Sequence, residues 1–266
     1  MNRKEEIRSA VLYTVIMLTT FFVMQAVVIL LHEFTHSITA HLLGVMPDPF
    51  GIVWGNSITM TGWDEGVRYS QLWATGRDLD GAITGVMPLV VHTIIITCGL
   101  ILLLSGVLRK HKWGFHLVFW FIVANMMELF AYMPMRAFAS NGDTGNFNHG
   151  MGLSPWVLLI PGTILVLLLL YYLLLRTLPG MYVVVAEGSR TLQYLILYFF
   201  AFAIFIWGSG LRVVLYIYPD PQWLLGLIGF GAFFVAIWLC RPGMPWVVRA
   251  EKQFGEGLPD RTQEIW

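Results

Sequence analysis

The segment LLHEFTHSITAHLLG, residues 30–44, places two histidines and a glutamate at the end of one of the most apolar runs in the chain. On a helix, residues four apart differ by about 40° of rotation and about 6 Å of rise, so His32 and His36 present their imidazoles from one face. Glu33 follows the first histidine, where its carboxylate can reach a metal-bound water without being a ligand. This HExxH pattern predicts a zinc site in which the acidified water loses a proton to the carboxylate, which is the chemistry of peptide hydrolysis.

Two histidines and a water leave a tetrahedral zinc one ligand short. The third predicted span ends on the same side of the membrane as the first, with the stretch VANMMELFAYMP followed by SNGDTGNFNHG. These segments offer Glu128, Asp143 and His149 as ligands, and the residues alone leave the choice open. Asn125 lies one turn from Glu128, and we expect it to hydrogen-bond the substrate backbone or an oxyanion as a catalytic residue. A plain contact between helices is the alternative for Asn125.

The composition places these residues in a membrane protein. Of 266 residues, 57% are hydrophobic and 12% are charged, with a mean hydropathy of +0.70. A soluble domain has roughly 25% charged residues. The formal net charge is zero, so there is no basic field to recruit nucleic acid. Two isolated cysteines cannot form a cysteine-rich zinc site.

Six apolar stretches have lengths that suit helices crossing a bilayer. They lie near residues 10–31, 83–107, 114–133, 155–175, 192–215 and 221–240. The first is longer than the apolar segment of a signal peptide and no small-residue cleavage site follows it, so we expect it to be retained. The predicted fold is an all-α membrane protein of about six spans. Its parts are a three-helix core in residues 1–154, three further helices in 155–240 and a cytoplasmic tail in 241–266.

Two connections are too long for simple turns. Residues 44–82 contain the alternating stretch IVWGNSITMTGW, which predicts a short surface β-hairpin at 52–64. Residues 134–154 are dense in Gly and Asn, and we expect them to be irregular.

The distribution of Lys and Arg predicts the orientation. Of the 16 Lys and Arg residues, four (Arg68, Arg77, Arg136 and Arg212) fall on one side of the predicted spans and the other twelve on the opposite side. The positive-inside rule then puts both termini in the cytoplasm and the HExxH end of the first span toward the extracytoplasmic side.

In these features the chain resembles the site-2 proteases, a family of intramembrane zinc metalloproteases. Their core is three helices, of which the first bears HExxH and the third bears an Asn/Pro-containing stretch ending in Leu-Asp-Gly. HEFTH matches the first motif, and NMMELFAYMPMRAFASNGD is similar to the second, over roughly residues 10–150. The resemblance implies one Zn²⁺ per chain, with Asp143 as the third ligand beside His32 and His36.

The chain departs from the family in two respects. The spacing from Asn125 to Asp143 is longer, and Gly142 and Thr144 flank Asp143 in place of Leu and Gly. Glu128 therefore stays the alternative third ligand.

The expected function is a membrane-embedded zinc endopeptidase that cleaves membrane-associated protein or peptide substrates, with Glu33 as general base. A helical substrate would have to unwind, and pairing with a strand at 52–60 would hold it extended. One alternative is a membrane di-iron oxidase, for which three clustered histidines among seven are few. The other is a non-catalytic membrane transporter or scaffold with a degenerate metal site.

Overall fold

The computed structural model describes residues 3–56, 62–211 and 223–256, and it is mostly helical, as predicted. Its elements, in chain order, are α1 (Arg3–Leu42), β1 (Ile52–Val53), β2 (Asp64–Glu65), α2 (Tyr69–Ala74), α3 (Asp78–Leu104), α4 (Lys112–Phe130), α5 (Gly142–Met151), α6 (Trp156–Tyr172), α7 (Leu178–Val184), α8 (Arg190–Ala201), α9 (Trp223–Cys240) and α10 (Pro245–Gly255). Three π-helical segments extend α4, α6 and α8: Ala131–Met135, Leu173–Thr177 and Phe202–Leu211.

Five helical segments are long and apolar enough to cross a membrane, and a sixth is added if α9 and α10, which meet at a bend of 66°, count as one span. These segments are Lys4–Leu42, Asp78–Leu104, Lys112–Met135, Trp156–Val184 and Arg190–Gly208. The prediction of a multi-pass helical membrane protein with about six spans is confirmed.

The third span, α4, lies at the centre of the bundle. In its most apolar window 78% of the residues are buried, against 28% in α1 and 33% in α3. Phe115, Phe119 and Trp120 of α4 are fully buried, whereas Phe22 of α1 and Ile94 of α3 are more than half exposed. The outer helices therefore present apolar side chains to the surroundings, as spans in contact with lipid do, and α4 is shielded by them.

The predicted hairpin is present. Ile52 pairs with Glu65 and Val53 with Asp64 in an antiparallel two-stranded sheet, so the second strand ends one residue beyond the predicted 52–64 segment. Residues 57–61, which include part of the predicted substrate-pairing strand at 52–60, lie outside the described residues. So do residues 257–266 of the predicted cytoplasmic tail.

The prediction of an irregular chain over 134–154 is wrong for residues 142–151, which form α5. The glycines that suggested irregular structure serve close packing instead. A Cβ at Gly150 would overlap the backbone of Asp78 in α3, and one at Gly85 of α3 would press on the backbone of Asp143. Small residues let two helix backbones approach closely, so α5 packs tightly on α3 and is ordered by that contact.

Candidate metal centre

Three of the predicted site residues come together at one point. His32 and His36 lie one turn apart on α1, and Asp143 lies in the first turn of α5; all three are buried. The His32 Nε2 atom is 3.2 Å from His36 Nε2 and 3.1 Å from Asp143 Oδ2, and His36 Nε2 is 3.5 Å from Asp143 Oδ1. The HExxH helix and the segment after the third span therefore meet as predicted, and they form a possible metal-binding cluster.

The spacing of these atoms fits a single small cation. Zinc binds imidazole nitrogen and carboxylate oxygen at about 2.0–2.2 Å, which puts two ligands of a tetrahedral ion roughly 3.3–3.6 Å apart. The three measured separations lie close to that range. The Asp143 Oδ2 atom is buried without a hydrogen-bond donor, which is costly for a carboxylate unless a cation neutralises it. Two imidazoles and one carboxylate suit zinc and other first-row transition metals such as iron(II), whereas magnesium and calcium take mainly oxygen ligands.

The orientation of His36 is fixed from α3. Its Nδ1 atom lies 2.7 Å from the carbonyl oxygen of Thr84. A carbonyl only accepts, so Nδ1 carries a proton, and in the neutral ring Nε2 has the lone pair that can bind a metal. The Thr84 carbonyl can accept from another chain segment because Pro88, four residues later in α3, has no N–H to donate to it. Pro88 thus leaves the Thr84 carbonyl free to accept from His36, and that hydrogen bond sets the tautomer of His36.

The orientation of His32 is fixed by a chain of buried hydrogen bonds across three helices. The Asn125 amide donates from Nδ2 to the Phe121 carbonyl at 2.7 Å, which turns Oδ1 toward His92 Nδ1 at 2.8 Å. His92 Nδ1 must then donate, and its Nε2 is left to accept from His32 Nδ1 at 3.0 Å. His32 Nε2 consequently keeps a lone pair toward Asp143. Hydrogen-bonded partners of this kind hold metal-binding imidazoles in one tautomer and orientation.

Asn125, predicted as catalytic, therefore uses its amide within the protein, through His92 and Phe121. A contact between Asn125 and a substrate stays a prediction of the sequence.

Glu33 also lies close to His36. Its carboxylate, the His36 ring and the carboxylate of Glu65 on β2 form a second group, in which the candidate ligand atoms all lie within 4.8 Å of one another. Glu33 is 8% exposed. A buried carboxylate directly beside the imidazole cluster is what the HExxH pattern requires of a proton acceptor that is not itself a ligand.

The charge state of Asp143 suits a ligand. Without a metal, burial by itself raises the pKa of this carboxyl, but the attraction of protonated His32 and His36 outweighs burial, so the pKa lies well below its usual range. A bound metal ion would replace these protons as the positive charge beside Asp143. The group is therefore a carboxylate, the form that binds metal ions.

The two alternative ligands are engaged elsewhere. Glu128 accepts a hydrogen bond of 3.0 Å from the Gln25 side chain, about two turns before the histidines on α1. The His149 ring packs against Trp73 with 4.6 Å between ring centroids. Among the residues that the structure describes, neither belongs to a group that could hold a metal.

Several residues of the centre were not predicted. His92 stood out as the only histidine in the second predicted span, and a buried ionisable group in a membrane helix is itself a signal of a site. The pair of Thr84 and Pro88 carried a signal too, since a proline in a helix frees the carbonyl four residues earlier. No feature of the sequence indicated Glu65, because its approach to His36 depends on how the hairpin packs on α1.

No protein-family model matches the chain, and no curated protein or solved structure matches it either.

Proposed function

We propose that the protein is a membrane-embedded zinc metalloprotease that hydrolyses peptide bonds of membrane-associated proteins. The observation that carries the proposal is the convergence of His32, His36 and Asp143, whose nitrogen and oxygen atoms lie 3.1 Å, 3.2 Å and 3.5 Å apart and would hold one zinc ion. Three protein ligands leave one position open, which distinguishes catalytic zinc sites from structural ones.

The proposed ion would be held by two neutral imidazoles and one carboxylate, so the site keeps a net positive charge. Zinc supplies a Lewis acid that polarises a peptide carbonyl and makes a water acidic. The remaining steps belong to side chains of this protein.

Glu33 is the general base and then the general acid. Its carboxylate takes a proton from the water, whose oxygen bonds to the carbonyl carbon of the substrate. As the carbon–nitrogen bond breaks, Glu33 returns the proton to the leaving amine. A positioned acid or base of this kind contributes typically 10²–10⁴-fold to the rate.

His92 and Asn125 are positioning residues in this proposal. They keep the proton of His32 on Nδ1, as the Thr84 carbonyl does for His36. Both metal-binding nitrogens are thus prepared before an ion arrives.

The proposed orientation rests on the distribution of charge, with both termini in the cytoplasm and the centre toward the extracytoplasmic side. Ala10 to Leu31 supply 22 apolar residues before His32, or about 33 Å of helix at 1.5 Å per residue. A substrate would meet the hairpin and α5 on that side, and strand pairing with the hairpin would hold its scissile segment extended.

The test compares membranes from cells that express the wild-type chain or the Glu33→Gln variant. New protein N-termini are labelled and identified by mass spectrometry. We expect wild-type membranes to contain N-termini within or beside apolar segments of other membrane proteins, and the Glu33→Gln membranes to lack them, because the amide cannot accept the proton of water.

The matched control is Glu6→Gln, which removes a carboxylate from the opposite end of α1, where Glu6 accepts a hydrogen bond from Thr191. It should leave cleavage intact. Identical N-termini from wild type and Glu33→Gln would contradict the proposal and favour a transporter or scaffold.

A further inference from the structure

A partly enclosed cavity lies at the end of the second and third spans that is remote from the metal centre. The turn between α3 and α4 lines it, together with Glu256, which follows α10. Its volume is about 410 Å³, within the range of small-molecule sites. About 20 residues of α3, or about 30 Å of helix, separate the turn from Thr84, whose carbonyl contacts His36. The cavity is therefore a separate site.

The turn has a defined conformation that holds Arg109 in the lining of the cavity. Gly106 has a φ of +85°, which a residue with a side chain rarely adopts. The Arg109 amide donates to the Gly106 carbonyl at 3.1 Å. A Cβ at Gly106 would lie 3.3 Å from Arg109 Nε, so the glycine lets the guanidinium lie directly against the turn.

The guanidinium of Arg109 is held in place from α10. Its central carbon lies 4.5 Å from the centroid of the Phe254 ring. Phe254 is buried and meets Phe115 of α4 edge-on, with 5.8 Å between ring centroids. The N–H groups of a guanidinium lie in its plane, so a ring against one face leaves the edges available to a ligand. Arg109 is thus oriented before a ligand binds.

The charges of the lining favour an anion. Among the residues that the structure describes, none accepts a hydrogen bond from Arg109 Nε, and no Asp or Glu forms an ion pair with Arg109. Lys110 adds a second cation to the lining, and Glu256 is its one carboxylate. A phosphate group matches the fork of guanidinium N–H donors.

The surroundings of the cavity favour a phosphate that is attached to a lipid. The turn begins where α3 ends and α4 follows it, so it lies at the level of lipid headgroups. Val107 in the lining is 65% exposed, and Ile101 in the last turn of α3 is 63% exposed. Free phosphate has no use for these apolar side chains, whereas an acyl chain can lie along them. In the proposed orientation the turn faces the cytoplasmic leaflet, which carries anionic lipids.

We propose that the α3–α4 turn binds one anionic phospholipid, with the phosphate on Arg109 and Lys110 and an acyl chain along Val107 and Ile101. The site does not depend on the metal centre or on hydrolysis, so it can exist whether or not the protein is a protease.

The test titrates the purified full-length chain in detergent with phosphatidylglycerol and counts the bound lipids by native mass spectrometry. One phosphatidylglycerol should bind more tightly than the rest, and more tightly than phosphatidylcholine, whose choline cancels the charge of its phosphate. Arg109→Gln should weaken the binding of that lipid about fivefold. Lys110→Gln leaves the contact between Arg109 and Phe254 in place and should also weaken it, which covers a failure of the Arg109 variant to fold.

The matched control is Arg241→Gln, which removes an exposed arginine that also lies over an aromatic ring, 5.9 Å from the Trp238 centroid, but does not line the cavity. It should bind the lipid as the wild type does, and an excess of inorganic phosphate should not displace the lipid. The proposal is overturned if phosphatidylcholine binds as tightly, if both cavity variants bind as the wild type does, or if Arg241→Gln weakens binding equally. Displacement by inorganic phosphate would also overturn it, because the site would then take the free anion.

Discussion

At the scale of single residues, the centre depends on where each imidazole keeps its proton. His32 would bind a metal through Nε2 because its Nδ1–H donates a hydrogen bond to His92, and His92 can accept because its own Nδ1–H donates to Asn125. The candidate centre would thus be tuned by residues that do not touch the metal.

His92→Phe should lower zinc affinity about 10–100-fold, because the ring of His32 loses the partner that fixes its tautomer. Competition with a chromophoric chelator measures this. The matched control is His116→Phe, which removes a buried histidine from α4 that bonds Tyr13 and Thr20 instead. Equal losses of affinity in both variants would show that His92 acts only through packing.

The sequence predicted the residues whose relation is local, and it missed His92 and the hydrogen bond between His92 and Asn125. His32, Glu33 and His36 follow from the rotation of one helix. His92 and Asn125 lie 60 and 93 positions from His32, and their alignment depends on how three helices pack. Asp143 was one of three candidate ligands that the residues offered, and the family resemblance selected it.

At the scale of elements, α5 determines whether Asp143 reaches the histidines. It packs against α3 through glycines that leave no space for a side chain. The spans were predicted because about 20 apolar residues suffice to define a membrane helix. That residues 142–151 form a helix was not predicted, because this helix depends on its contact with α3 rather than on helix propensity.

Gly150→Ala should move α5 away from α3 and lower zinc occupancy, since the added Cβ overlaps the Asp78 carbonyl and Ala82. Overpacking of this kind costs about 1–3 kcal/mol of stability. Zinc content and the thermal midpoint of the purified protein measure both effects. Gly231→Ala is the control, because a Cβ at that helical glycine meets open space. Unchanged zinc content in Gly150→Ala would refute the role given to this contact.

At the scale of the whole molecule, the apolar surface indicates which helices are spans, and the distribution of Lys and Arg predicts how the spans are oriented. Exposed apolar side chains cover the outer helices, and α4 lies within them. Length and composition were enough to predict the number and approximate bounds of the spans, whereas neither the burial of α4 nor the position of the hairpin on α1 was accessible from them.

The proposed orientation predicts a labelling pattern in intact cells. Cysteine introduced by Ser140→Cys, just before α5, should react with an impermeant thiol reagent added outside. Cysteine introduced by Lys110→Cys, between α3 and α4, should not. Both positions are exposed. The parent chain with Cys98 and Cys240 alone gives the background, and labelling of the Lys110→Cys variant alone would invert the topology.

The most direct test of the account is the zinc content of the purified wild-type, Asp143→Ala and Glu128→Ala chains, determined by elemental mass spectrometry. We expect about one zinc per wild-type chain, as for a single catalytic site. Asp143→Ala should lose most of it because a ligand is gone, whereas Glu128→Ala should stay near the wild-type value because Glu128 contacts Gln25 and, among the described residues, belongs to no group that could hold a metal. No zinc in the wild-type chain, or a greater loss in Glu128→Ala than in Asp143→Ala, would contradict the centre described here.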